Sequence, residues 1–184
     1  DLGSVHGKWL LDNFPNTSFL NINLTESYKI FYSKLCDVEQ LSELGFANSK
    51  ARLRMMTLYQ VASSQNGLVV GTGNKVEDFG VGFYTKYGDG GVDISPIADL
   101  MKSEVRELSK TLGIDSRIID AEPTDGLWDD DRTDEKQLGL SYDELEEAMI
   151  NSNSMNREKY ESIRKNNVHK MNPIPVCILS LIHI

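Results

Sequence analysis

Leu68-Val-Val-Gly-Thr-Gly-Asn-Lys-Val-Glu77 runs from a continuous apolar stretch straight into a glycine-paired loop. Bounded by Gly67 and Gly71, Leu68-Val-Val70 suits a buried parallel strand, which is covered on both faces and so shows no alternation. Loops at the carboxyl ends of parallel strands are where open α/β sheets bind ligands. Gly71 to Glu77 therefore offers a backbone cradle with a hydroxyl at Thr72 and a carboxylate at Glu77. On glycine spacing alone a plain strand-to-helix turn is an equal reading. Neither GxGxxG opening a helix nor the GxxxxGK[ST] loop occurs here.

Upstream of this stretch, Asn48 to Gln65 contains no Gly or Pro and carries Ala51, Met55, Leu58, Tyr59 and Ala62 at helical spacing, which predicts a long amphipathic helix. Earlier still, Val5, Trp9, Leu10 and Phe14 predict a helix stopped by Asn13-Phe-Pro-Asn16. Thr17 to Asn23 alternates like a short strand, and Leu24 to Tyr28 reads as a helix start with Thr25 as its cap. Helix, strand, helix in that order points to α/β layering. Downstream, the glycine-rich stretch 71–91 is expected to be a shaped loop rather than regular helix. Asp99 to Leu112 is expected as a helix capped by Asp99 and ended by Gly113, with Leu100, Val105, Leu108 and Leu112 as its stripe. Glu122 to Thr133 reads as irregular, followed by polar helices near 141–151 and 156–166. With no repeat or flexible linker, residues 1–184 read as a single domain.

Composition narrows the function. The chain has 184 residues, 40% hydrophobic and 26% charged, which is ordinary globular composition. A net charge of −9 is the wrong sign for non-specific grip on nucleic acid, so an anionic ligand needs local cations or a metal. Cys36 and Cys177 form no CxxC or Cys/His cluster, which argues against a disulfide framework or zinc site and fits a reducing, cytoplasmic setting. The longest apolar run, Val176 to Ile184, is about half the roughly 20 residues that cross a bilayer, so no membrane span is expected. Asp1 to Leu11 lacks an initiator Met and the order of a signal peptide, and reads as an element already under way.

Phe83-Tyr-Thr-Lys-Tyr-Gly-Asp-Gly-Gly-Val-Asp93 packs glycines, Lys86, Asp89 and Asp93 into a stretch with neither a core face nor a hairpin pattern. Such loops usually carry function. Lys102 lies near a helix start, where a surface lysine is the default and a phosphate contact the alternative. Asp129-Asp-Asp131 with Glu135 is a weak metal candidate, since acidic runs are mostly solvated faces. His169-Lys170 says little by itself.

Taken together, Gly71-Thr72, Glu77, Thr85-Lys-Tyr-Gly-Asp-Gly-Gly-x-Asp93, Lys102, Glu122-Pro-Thr124 and His169-Lys170 closely resemble the ammonia-dependent NAD synthetases, from about Trp9 to Val176. The resemblance implies ATP-dependent amidation of deamido-NAD to NAD with ammonia, through an acyl adenylate, releasing AMP and pyrophosphate. It implies Thr72, Lys102 and Thr124 as ATP contacts, with Lys102 catalytic, and Glu77 as a magnesium ligand. Arg52, Lys86, Asp93, His169 and Lys170 match positions that contact deamido-NAD. Mg2+ is implied as cofactor, ATP as co-substrate, and a homodimer as the assembly, with the helix 48–65 a candidate for its contact. The implied fold is a doubly wound parallel sheet flanked by helices, of the adenine nucleotide alpha-hydrolase type.

The SGGxDS pyrophosphate loop of that family occurs nowhere in these residues, so the chain is expected to lack the N-terminal strand and phosphate loop. Residues 178–184 stand where a short basic tail is expected and read as a candidate non-native tail. Two alternatives stay open: a non-catalytic dinucleotide-binding or dimerising fragment, and another adenylating amidotransferase of the same superfamily.

Overall fold

The computed structural model describes residues 2–130 and 132–178. The suggested non-native tail therefore lies, apart from Ile178, outside the described residues, as does Asp131. Among these described residues eight α-helices follow in chain order: α1 (Leu2–Asn13), α2 (Thr25–Leu35), α3 (Glu43–Ser64), α4 (Lys102–Thr111), α5 (Ser116–Ile119), α6 (Asp134–Leu138), α7 (Tyr142–Ile150) and α8 (Arg157–Met171). A π-helix, Lys75–Val81, stands between α3 and α4.

The core sits where the π-helix meets the last three helices. Val76, Val81, Leu138, Leu140, Tyr142, Leu145, Ala148 and Tyr160 bury together, with Phe83, Met101, Met149 and Ile163 packed around them. On α7, Tyr142, Leu145 and Ala148 recur every third residue, and a capping box, Ser141 with Glu144, fixes where that face begins. A smaller cluster joins Ala47 and Ala51 of α3 to Leu127, with Trp128 against it.

Several local expectations need correction. Thr17–Asn23 forms no strand: among the described residues no segment lends it a backbone edge, and Leu20 is 63% exposed. Leu68–Val70 keeps a single parallel bridge, Val70 to Ile94. Val69 is buried, but Leu68 and Val70 are more than half exposed, so the segment is covered on one face rather than two. The glycine-rich stretch is not wholly loop, because Lys75–Val81 closes into the π-helix. Asn74, 2% exposed, caps it by accepting from the amides of Val76 and Glu77 at 3.0 and 3.1 Å. Gly82, at φ 64°, ends it in the left-handed region that favours glycine.

Thr25 is the first residue of α2 rather than its cap; its amide donates to Asn23 Oδ1 at 2.9 Å. Asp99 does not cap α4 either. Its carboxylate pairs with Lys75 at 2.9 Å, the helix starts three residues later, and Glu104 accepts from the Met101 amide at 2.7 Å. The stripe on α4 is partly open, with Leu108 and Leu112 exposed. The long helix α3 begins earlier than expected because Ser42 accepts from the Gly45 amide at 3.1 Å.

Candidate active site

The site is built around the loop that follows the parallel bridge Val70–Ile94. Gly71 donates to the Ile94 carbonyl at 2.7 Å, and Asp93 donates to that of Val69 at 2.9 Å, so residues 69–71 and 93–94 run side by side. Two glycines then make room. A Cβ on Gly71 would sit 2.8 Å from Val92 Cγ2, and one on Gly73 would sit 2.1 Å from an oxygen of Asp78. The Asp78 carboxyl fills the space a side chain at position 73 would need. Loss of water there, then the charges of Glu77 and Asp89, push its pKa up to about 6.

Glu77 is held by the π-helix cap at its amide and by two side chains at its carboxylate. The Lys102 ammonium lies 2.9 Å from Oε1, and the Tyr142 hydroxyl donates to the same oxygen at 2.6 Å. Lys102 also stands over the Tyr142 ring, 4.8 Å from its centre. The Tyr142 oxygen is 3.2 Å from Asp134 Oδ2, while Asp134 Oδ1 is buried without a partner. Desolvation, then the Glu77 charge, raises the Asp134 carboxyl to about 6. The same two causes push the Tyr142 phenol well above its ordinary range, so it stays a proton donor. Among the described residues nothing donates to Glu77 Oε2. A single outward carboxylate oxygen suits magnesium, which binds through one or two carboxylates and takes its other ligands from phosphates and water.

A second group of expected residues meets where the loop 82–91 touches the end of α8. Arg52 reaches the Lys86 carbonyl at 3.3 Å, and the Lys86 ammonium reaches the His169 carbonyl at 2.9 Å. Lys170 holds the carbonyls of Gly82 and Tyr84 at 2.9 and 2.8 Å, and burial lowers its pKa. Asp93 lies apart from them. Its Oδ1 accepts from the Tyr59 hydroxyl at 3.0 Å and its Oδ2 from the Val69 amide at 2.7 Å, which ties the bridge to α3. A small void of about 100 Å³ lies between loop 82–91 and α3, lined in part by Asn48, Thr85, Asp89 and Lys170. A wider cleft of about 690 Å³ lies beside Tyr28, Lys50 and Arg54.

The structure thus brings Glu77 to Lys102, and Arg52 and Lys86 to the His169-Lys170 end of α8. Thr72 is exposed on the glycine loop. Thr124 shapes its own turn, donating to the Arg132 carbonyl and accepting from the Gly126 amide, both at 3.2 Å. Its acidic neighbours have protein partners: Asp129 with Lys50, Asp130 with Arg132, and Asp125 with Gln137. Asp78, Asp134, Tyr142 and Tyr59 are site residues that sequence reasoning missed. The three-residue spacing of Tyr142, Leu145 and Ala148 is the one signal that marks Tyr142 as inward-facing.

A family model described as NAD synthase matches residues 6–176. An NH(3)-dependent NAD(+) synthetase of Mesoplasma florum is 40% identical over 157 residues, which is 83% of this chain and 63% of that protein. The enzyme of the same description from Methanococcoides burtonii is 44% identical over 131 residues, 71% of this chain and 49% of that protein. The chain thus spans between about half and under two thirds of the length of these relatives. Among solved structures, the NMN synthetase of Francisella tularensis superposes with a TM-score of 0.82 at 29% identity, covering 97% of this chain and 74% of that one.

Proposed function

The chain belongs to the NAD synthase family, and from that premise we propose that it forms the substrate-binding part of a ligase that amidates deamido-NAD. The observation that carries the reading is the Glu77–Lys102 pair, 22% and 16% exposed at the lysine and glutamate side chains respectively, beside the glycine loop. A nicotinate carboxylate resists nucleophiles until one of its oxygens becomes a good leaving group. It attacks the α-phosphorus of ATP and pyrophosphate leaves. Ammonia then adds to the acyl carbon, loses a proton, and AMP departs with the former carboxylate oxygen. On a chain of net charge −9, two anionic substrates need local positive charge.

Lys102, its ammonium shared with Glu77, is assigned the place where phosphoryl charge develops, with Thr72 and Thr124 as further ATP contacts. Glu77 would hold magnesium, whose chemistry is to screen the phosphates. Arg52, Lys86, His169 and Lys170 face the deamido-NAD anion, and Asp93 its hydroxyl or amide donors. Arg52, Lys86 and Lys170 hydrogen-bond neutral carbonyls, contacts that are cheap to exchange for phosphate oxygens. The same premise gives a single domain on a doubly wound parallel sheet, a reading that the parallel Val70–Ile94 bridge supports. It also gives a homodimer with α3 at its contact and a cytoplasmic location; among the described residues no helix is long and apolar enough to cross a membrane.

A second reading takes a nicotinate mononucleotide as substrate, favoured by the superposition on the NMN synthetase. The higher identity to the dinucleotide enzymes favours deamido-NAD. The test uses the full-length protein that carries this chain, with ATP, magnesium and ammonia and either substrate, following AMP and amidated product. Deamido-NAD should be turned over in preference, and Lys102→Ala should lower kcat by about 10²-fold or more. A Lys102→Ala effect within threefold removes its catalytic role, and no substrate-dependent AMP removes the reaction.

A further inference from the structure

We infer that Tyr142 is a positioning residue that holds Glu77 in a one-sided orientation, with Oε1 anchored inward and Oε2 presented to a cation. The inference rests on Glu77 being the cation ligand, as proposed above.

Both groups that reach the Glu77 carboxylate converge on Oε1, Tyr142 at 2.6 Å and Lys102 at 2.9 Å. A carboxylate on a flexible stem otherwise exchanges its two oxygens freely. Two donors on one oxygen, one of them a rigid phenol, end that exchange. Tyr142 is itself closely packed: it is 1% exposed, wedged among the core residues of α7 and the π-helix, and its ring carries the Lys102 ammonium. One side chain therefore sets both members of the pair, the carboxylate through its hydroxyl and the ammonium through its ring face.

The arrangement is poorly built for stability, which argues against a purely structural role. The phenol has one proton and two acceptors within reach, Glu77 at 2.6 Å and Asp134 at 3.2 Å. The shorter contact takes the proton away from Asp134 Oδ2, and the other Asp134 oxygen, Oδ1, is buried and unpartnered in any case. A polar cluster selected for stability satisfies its members; a half-satisfied one costs more than an apolar replacement. Here the phenol, within reach of both carboxylates, is spent on orienting Glu77. Orientation of this kind is how surrounding groups tune a ligand for a metal.

The test compares Tyr142→Phe, Glu77→Gln and Glu77→Asp in the full-length protein. It reads manganese binding in the presence of ATP by water-proton relaxation, and the magnesium concentration giving half-maximal turnover. Tyr142→Phe should weaken cation affinity about tenfold and lower turnover at saturating magnesium by less than threefold. A merely structural tyrosine would move the melting temperature and leave the cation titration in place. Glu77→Asp draws the carboxylate away from the phenol, so adding Tyr142→Phe to it should weaken the cation no further. If Tyr142→Phe does not fold, Glu77→Asp must by itself reproduce the tenfold loss. Normal cation affinity in Tyr142→Phe with a defective Glu77→Gln overturns the positioning role alone. Normal affinity in Glu77→Gln overturns the metal role of Glu77, and the positioning role with it.

Discussion

Raising the pH from about 4.5 to about 7.5 should destabilise the folded chain through Asp134, and Asp134→Asn should remove that part of the loss. Asp134 is 7% exposed and its Oδ1 has no partner. Burial, then the charge of Glu77, raises its pKa to about 6, while an Asp in an unfolded chain stays near ~3.9. Between those values the folded state binds the proton that the unfolded state has released, so stability falls as pH rises through the window. A gap of about two units corresponds to about 3 kcal/mol at most. Water reaching the Glu77–Lys102 side of the cluster reduces this to ~1–2 kcal/mol. Urea denaturation across this pH range reads it directly. The variant should be no more stable than the parent at the acid end, where the aspartate is already neutral, and should gain ~1–2 kcal/mol on it at the alkaline end. Asp78, also raised to about 6, leaves a residual slope in the variant. Asp99, Asp115 and Glu144 are held low by their partners and titrate below the window. Parallel curves for parent and variant would refute the reasoning.

Two further substitutions probe the frame of the site. Leu145→Ala, at a residue with 0% exposure in the main cluster, should cost about 2–5 kcal/mol in the same assay; a cost below ~1 kcal/mol would mean that α7 is not packed as described. Gly73→Ala should cost about 1–3 kcal/mol, because its methyl meets the Asp78 carboxylate. Adding Asp78→Ala should restore more than half of that loss, and no restoration would place the strain elsewhere.

α3 was legible from its apolar spacing although its cap, Ser42, was not, and α7 and α8 were legible as polar helices, of which only α7 carries a side-chain cap. Asp99 misled because a capping side chain can be diverted: its carboxylate went to Lys75, and Glu104 took over the start of α4. Thr17–Asn23 has strand periodicity, but a ladder is a property of two segments, and one segment cannot announce its partner. The π-helix escaped notice because Gly80 and Gly82 read as breakers, whereas Gly80 is there to admit Met149, whose sulfur would lie 2.9 Å from a Cβ. Most candidate site residues were named through the family resemblance rather than by local pattern. Tyr142 and Asp134 matched neither, since their importance lies in a contact between a helix face and a residue 65 positions away.

The choice of carbonyls as partners for Arg52, Lys86 and Lys170 also shapes the field around the protein. A cation paired with a carboxylate, as Lys75 is with Asp99, forms a dipole whose potential fades within a few ångströms. A cation resting on a neutral carbonyl keeps its monopole. On a molecule of net charge −9 the junction of loop 82–91 with α8 therefore gathers the charges of Arg52, Lys86 and Lys170, offset in part by Asp89, whose carboxylate acts on Lys170. A polyanion that is repelled over most of the surface meets its strongest attraction there. Its arrival rate should then depend steeply on ionic strength, with an attraction that reaches about one Debye length, ~8 Å at physiological salt.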